Sequence, residues 1–223
     1  MARFDVESTE GMRWIRVDLE DDDVRTEKGA LNHMQGTIRM DVPFPTLKAM
    51  WVSLFSDESL LRPRYEGTGS VYLDSTLGGY HIFRITPGER WILDTKCFWA
   101  SDGEVQLSVH RETMWTSWWA DQGLLWYKTA LKGDGQVVLA VDGPVQEVDL
   151  ANDRLLADGP FVIARTSGVR MRVRRPAKSF VSYWLSGQRL AYSYEGTGKL
   201  LLCTTPYWRQ RMQKERADPA LFS

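Results

Sequence analysis

Tyr65-Glu66-Gly67-Thr68-Gly69-Ser70-Val71-Tyr72-Leu73 returns near the C-terminus as Tyr194-Glu195-Gly196-Thr197-Gly198-Lys199-Leu200-Leu201-Leu202. A looser copy, Leu131-Lys132-Gly133-Asp134-Gly135-Gln136-Val137-Val138-Leu139, lies between them. Gly67, Gly133 and Gly196 lead the three copies at nearly equal intervals, so the chain reads as three near-equal units. Self-similarity at a fixed period marks stacked supersecondary units, each too small to cover its own apolar face. Glycine at these positions supplies the positive φ or the close backbone approach that a hairpin or bulge needs. A phosphate-binding loop would lead into a helix or continue as GxGxxG or GxxxxGKS/T. An alternating strand follows in every copy instead.

Working outward, residues 11–77 form the first unit. Ile15, Val17 and Leu19 alternate with polar residues as in a half-buried strand, and the acidic run from Glu20 to Asp23 reads as the turn that closes it. Ile38, Met40 and Val42 resume the period of two before Pro43 and Pro45 end the pattern, since proline cannot donate to a ladder. The second unit, 78–143, repeats this order with His81 to Ile85, a Pro87-Gly88 turn, Trp91 to Asp94 and the alternating Val105, Leu107 and Val109. The third, 144–206, has Val145 to Leu150, an Asn152-Asp153 turn, Leu155 to Asp158, and Val169, Met171 and Val173. Ile38/Met40/Val42, Val105/Leu107/Val109 and Val169/Met171/Val173 superpose, which predicts one shared inward face. The fold expected is all-β: a single domain over 1–206, built from three pseudo-threefold repeats of about 65 residues as a β-prism or β-sandwich. Residues 207–223 lie outside the repeat and read as a short basic helix or tail.

The composition excludes more than it suggests. With 28 basic and 29 acidic residues in 223, the formal charge of −1 argues against a chain that binds nucleic acid through bulk electrostatics. Cys97 and Cys203 stand at different points of the repeat, outside any CxxC, and read as unbridged core thiols. His33, His81 and His110 occupy different phases of the repeat without an HxH or HExxH pattern, and no GxSxG elbow occurs. Asp94 and Asp158 recur at corresponding turns, with Glu27 in the first unit, as turn-capping groups would. General acid–base catalysis would need two carboxylates in unlike environments. No catalytic, cofactor-binding or metal-ligating residue is assigned, and no enzyme is expected. The N-terminal segment from Met1 to Glu10 has neither the apolar core of a secretory signal nor the acid-poor character of a transit peptide. No apolar run reaches the roughly 20 residues needed to span a bilayer. The expected setting is cytoplasmic.

Two surface candidates remain. Between its third alternating strand and its glycine pair, each unit carries an aromatic insertion: Trp51 and Phe55, then Trp115, Trp118 and Trp119, then Phe180, Tyr183 and Trp184. Threefold geometry would gather them at one end, either as a plug for the core or as an interface for another subunit, a partner or a membrane surface. Arg170, Arg172 and Arg174 project from one face of a strand and could bind RNA or an anionic membrane surface; a merely solvated face is the alternative.

Gly29-Ala30, the three Gly-x-Gly segments, the aromatic insertions and the stretch Leu156-Ala157-Asp158-Gly159-Pro160-Phe161-Val162-Ile163-Ala164 together resemble the AIM24 family over roughly residues 10–205. That resemblance implies a three-repeat β fold related to the tryptophan RNA-binding attenuation protein, no established enzyme chemistry, and, for mitochondrial members, a role in inner-membrane organisation, which makes a mitochondrial setting the alternative to a cytoplasmic one. The attenuation protein's tryptophan-binding and RNA-binding residues have no matching positions in this chain, and none is carried over. The function expected is a non-enzymatic binding or scaffold protein that self-associates or docks a partner through its aromatic end. The alternative is an RNA-binding or anionic-surface-binding module using the arginine strip.

Overall fold

The computed structural model describes residues 1–42, 62–76, 78–94, 97–111, 127–158, 161–174 and 191–204, and every regular element among them is a β-strand. The chain divides into two compact units, Met1–Val141 and Asp142–Ser223.

In the first unit, β1 (Arg3–Thr9), β2 (Met12–Thr26), β3 (Leu31–Asp41), β4 (Arg64–Thr76), β5 (Gly79–Ile85), β7 (Phe98–Asp102) and β10 (Gly135–Val141) form one sheet. Its order is β3-β4-β2-β7-β10-β5, with β1 paired to β2. In the same unit β6 (Arg90–Leu93), β8 (Gln106–Arg111) and β9 (Tyr127–Lys132) pair antiparallel in the order β6-β9-β8. The alternation read from the sequence decides which face is buried. Ile15, Val17 and Leu19 are fully buried with Val71 and Leu73 of β4, while Arg16 and Asp18 point outward. Each such burial contributes about 1.5–3 kcal/mol.

The acidic run does not end β2. Asp21 adopts φ 56 and the register against β4 shifts between Glu20 and Asp22, so the strand bulges and continues to Thr26. Aspartate tolerates the left-handed region better than most residues. The Thr68 hydroxyl accepts the Asp21 N–H at 3.2 Å. The glycines opposite are not a hairpin turn either. Gly67 and Gly69 lie inside β4, where β3 passes so close that a Cβ on Gly67 would stand 2.1 Å from the Thr37 carbonyl oxygen. At the middle copy, Gly133 and Asp134 carry the chain from β9 to β10, which pair with different neighbours, so that segment is a crossing rather than a hairpin.

In the second unit, β11 (Val145–Asp158), β12 (Val162–Thr166) and β13 (Val169–Arg174) all pair antiparallel with β14 (Ala191–Cys203). Strand β11 follows β14 along its whole length, β12 takes its C-terminal end and β13 its N-terminal half. The bulge device recurs. Asn152 has φ 56, the register shifts between Ala151 and Asp153, and Asn152 N–H donates to the Thr197 hydroxyl at 3.1 Å. Thus the Asn152-Asp153 turn is also a bulge within a continuous strand.

Candidate interaction surface

An edge strand with one face on a core normally buries that face, because the alternating side chains reach over the neighbouring strand's column. Strand β3 ends its sheet and departs from this rule. Met34 stands in register with buried Val71, and Met40 with buried Tyr65, so both methionines share the core-side face. They are nevertheless 43% and 52% exposed, and Val42 is 43% exposed. Only Leu31 and Ile38 of this strand pack against the core cluster. The inward face shared by Ile38, Met40 and Val42 in the sequence is therefore largely uncovered in this copy. In the second unit the corresponding Val169 and Met171 are buried.

The outer face of β3 is polar and ordered by its neighbour. His33 stacks on Tyr72 with ring centroids 4.2 Å apart and planes 9° from parallel, and Asn32 Nδ2 donates to Asp74 Oδ1 at 2.6 Å. Arg39 stands opposite Glu66 and Asp41 opposite Arg64.

Alternation puts Val169 and Met171 inward and leaves Arg170 and Arg172 exposed on one face of β13, while the side chain of Arg174 lies outside the described residues. Register brings Glu195 directly opposite Arg170, and Arg172 Nη1 is 3.7 Å from Glu195 Oε2, so an acid stands within the basic face. The aromatic candidates Trp51, Phe55, Trp115, Trp118, Trp119, Phe180, Tyr183 and Trp184 all lie outside the described residues.

The recurrent acids have partners that the sequence did not announce. Glu27 Oε2 is 3.0 Å from Arg62 Nε, and Asp94 Oδ1 is 3.0 Å from Lys128 Nζ. Both cationic side chains are buried, and the Arg62 guanidinium also lies 4.4 Å from the Phe98 ring centroid. Each acid is thus held as a structural counter-ion next to a turn, and breaking such a pair by removing one partner would cost about 3–5 kcal/mol. The step from Arg62 to Lys128 equals that from Gly67 to Gly133, and this shared interval is the signal that could have exposed them.

The three histidines lie on three strands, β3, β5 and β8, and no group of three or more potential metal ligands occurs among the described residues. Neither cysteine is in a disulfide. One acid stands apart: Asp102, at the end of β7, is 2% exposed, and burial raises its pKa above the ordinary carboxylate value.

These features define an all-β protein of antiparallel sheets. The model of the AIM24 family, described as mitochondrial biogenesis AIM24, matches residues 4–205. The chain belongs to that family. An X-ray crystal structure of a Streptococcus pyogenes protein has a similar fold, with a TM-score of 0.72 and 16% identity over 98% of this chain and 100% of that one. No curated protein matches the chain. No helix among the described residues is long and apolar enough to cross a membrane.

Proposed function

We propose that the chain is a non-enzymatic binding or scaffold protein that associates with a second copy of itself through the uncovered face and edge of β3 and the aromatic segments. The observation that carries this reading is the exposure of Met34 and Met40 on the core-side face of an edge strand, and of Val42 just beyond its end. An edge strand offers a row of main-chain donors and acceptors, and exposed methionines offer adaptable apolar contact. The sequence of β3 is also self-complementary. Antiparallel pairing of two copies about Met40 sets Arg39 of each opposite Asp41 of the other, and Ile38 opposite Val42. The chain then runs directly from Val42 into the segment bearing Trp51 and Phe55.

Three repeated units gathering the aromatic segments at one end, and a cytoplasmic rather than mitochondrial setting, belong to the same proposal. The family description favours the mitochondrial alternative. Light scattering coupled to size exclusion tests association: a mass above the 25.6 kDa of one chain is expected, falling to 25.6 kDa in Met40→Lys, which sets like charges against each other on the dyad. Trp115→Ser with Trp118→Ser is the second variant expected to lower the mass. A monomeric parent, or an oligomer indifferent to both variants, overturns the reading.

A second reading uses Arg170 and Arg172, whose exposure on one face of β13 suits RNA or an acidic membrane surface. Glu195 within that face weakens it, and it ranks behind self-association.

A further inference from the structure

Arg25 is a half-buried cation without an acid of its own. Arg64, Arg25 and Ser101 stand directly opposite one another across β4, β2 and β7, so their side chains share one face of the sheet. The neighbouring cations are engaged: Arg64 Nε is 2.7 Å from Asp23 Oδ2, and Arg62 Nε is 3.0 Å from Glu27 Oε2. Among the described residues, the Arg25 guanidinium makes one hydrogen bond, a long one of 3.5 Å from Nη1 to the neutral carbonyl oxygen of Val105. Burial lowers its pKa below the ordinary arginine value, Arg64 and Arg62 lower it further, and Asp23 acts the other way. Ser101, beside it in the row, is 0% exposed, and its Oγ has no hydrogen-bond partner among the described residues.

The second unit shows what the same place holds elsewhere in the chain. Ser101 lies opposite Val137 as Arg165 lies opposite Leu200, and both partners follow corresponding glycines, Gly133 and Gly196. Arg165 is 5% exposed and donates its Nε–H to the Val169 carbonyl at 3.1 Å. In the first unit Arg25 reaches the corresponding carbonyl, that of Val105, from the adjacent strand, and the residue in the arginine's own place is a serine. A partly desolvated guanidinium and a buried hydroxyl thus stand side by side with donors to spare, although buried polar groups are ordinarily paired. We propose that Arg25 and Ser101 form a binding site for a small oxyanion, a phosphate or a carboxylate, whose oxygens accept from the guanidinium and the hydroxyl. A guanidinium fork suits either anion, since both offer two oxygens to parallel N–H donors. Arg62 and Arg64 disfavour a cation at this point, and Asp23, already engaged by Arg64, tempers the attraction without meeting Arg25's need. The site lies apart from the β3 edge and does not depend on self-association.

Inorganic phosphate and acetate, titrated separately into the full chain with sodium chloride holding the ionic strength constant, test this by calorimetry and by the unfolding midpoint. One of the two anions is expected to bind and to raise the midpoint above the chloride control; a stronger phosphate response assigns a tetrahedral ligand, a stronger acetate response a carboxylate. Ser101→Ala removes a buried hydroxyl that nothing satisfies, so its midpoint without anion is expected to equal or exceed the parent's. The same variant should bind the anion about tenfold more weakly, the effect of losing one hydrogen bond to a charged group. Arg25→Gln should abolish the response, and Arg154→Gln, at an exposed arginine of β11, should leave it unchanged. If Arg25→Gln does not fold, Ser101→Ala decides. Responses to both anions no larger than to chloride, binding undiminished in Ser101→Ala, or a Ser101→Ala chain less stable than the parent without anion each overturns the proposal.

Discussion

Replacing Gly67 by alanine tests whether the repeated glycines serve strand packing or a ligand loop. Gly67 has φ +139, a conformation that side chains rarely adopt, and the added Cβ would stand 2.1 Å from the Thr37 carbonyl oxygen and 3.2 Å from the Ile38 Cα. Real Cβ atoms essentially never approach nearer than 3.0 Å, so the β3 backbone must retreat or β4 must rotate away from it. Backbone strain of this kind costs about 1–3 kcal/mol. Displacing β3 weakens one or two ladder hydrogen bonds, each with a net contribution of about 1 kcal/mol. The sum is about 2–5 kcal/mol, or a fall of roughly 5–20 °C in the unfolding midpoint for a chain of this size. Gly11, in the short loop between β1 and β2, is the control. Its φ is +83 and a Cβ there meets nothing within 4 Å. Gly11→Ala therefore incurs conformational strain alone, about 1–2 kcal/mol. Its midpoint should fall by only a few degrees. Thermal melts followed by far-UV circular dichroism, with calorimetry to check the number of transitions, separate the two variants. If Gly67→Ala melts no lower than Gly11→Ala, the close approach of β3 and β4 is not what requires glycine, and the packing account fails.

Three shorter predictions accompany it. Asn152→Gly should leave stability unchanged or slightly raised, because φ 56 suits glycine. Asn152→Val should cost about 1–2 kcal/mol or more in a chemical-denaturant titration; equal midpoints would remove the bulge from the account. Burial pushes the Asp18 pKa up, but the Ser70 hydroxyl at 2.6 Å and the bidentate Arg16 guanidinium outweigh it and hold the pKa below the usual value. Stability from this group is therefore present above the unfolded-state pKa of about 3.9 and lost as pH falls through the folded value. Ser70→Ala should cost about 1 kcal/mol at neutral pH, with the gap to the parent narrowing in acid; a gap independent of pH would refute the assignment. Finally, if the arginine strip binds RNA or acidic vesicles, Arg170→Ala with Arg172→Ala should weaken binding and flatten its salt dependence, and an unchanged salt slope would exclude the strip.

What is legible in the sequence is whatever depends on neighbours a few residues away. The alternation of Ile15, Val17 and Leu19 against Arg16 and Asp18 suffices to place one face inward, and the same alternation exposes Arg170 and Arg172 while burying Val169 and Met171. The acidic run reads wrongly as a turn because what decides it is remote. Asp21 can turn the chain or bulge it, and the Thr68 hydroxyl, 47 residues away, provides for the bulge. The exposure of Met40 is hidden for the same reason. Its residue type and phase match the buried Met171, and nothing in either segment records which of the two faces the rest of the chain will cover. Glu195 shows how this limit reaches the candidate sites. A basic strip is visible in one strand, while the acid that tempers it comes from another, set opposite Arg170 by a register that no single segment encodes. The residues whose neighbours come from distant parts of the chain, Arg25, Met40 and Arg172, are therefore where the functional tests belong.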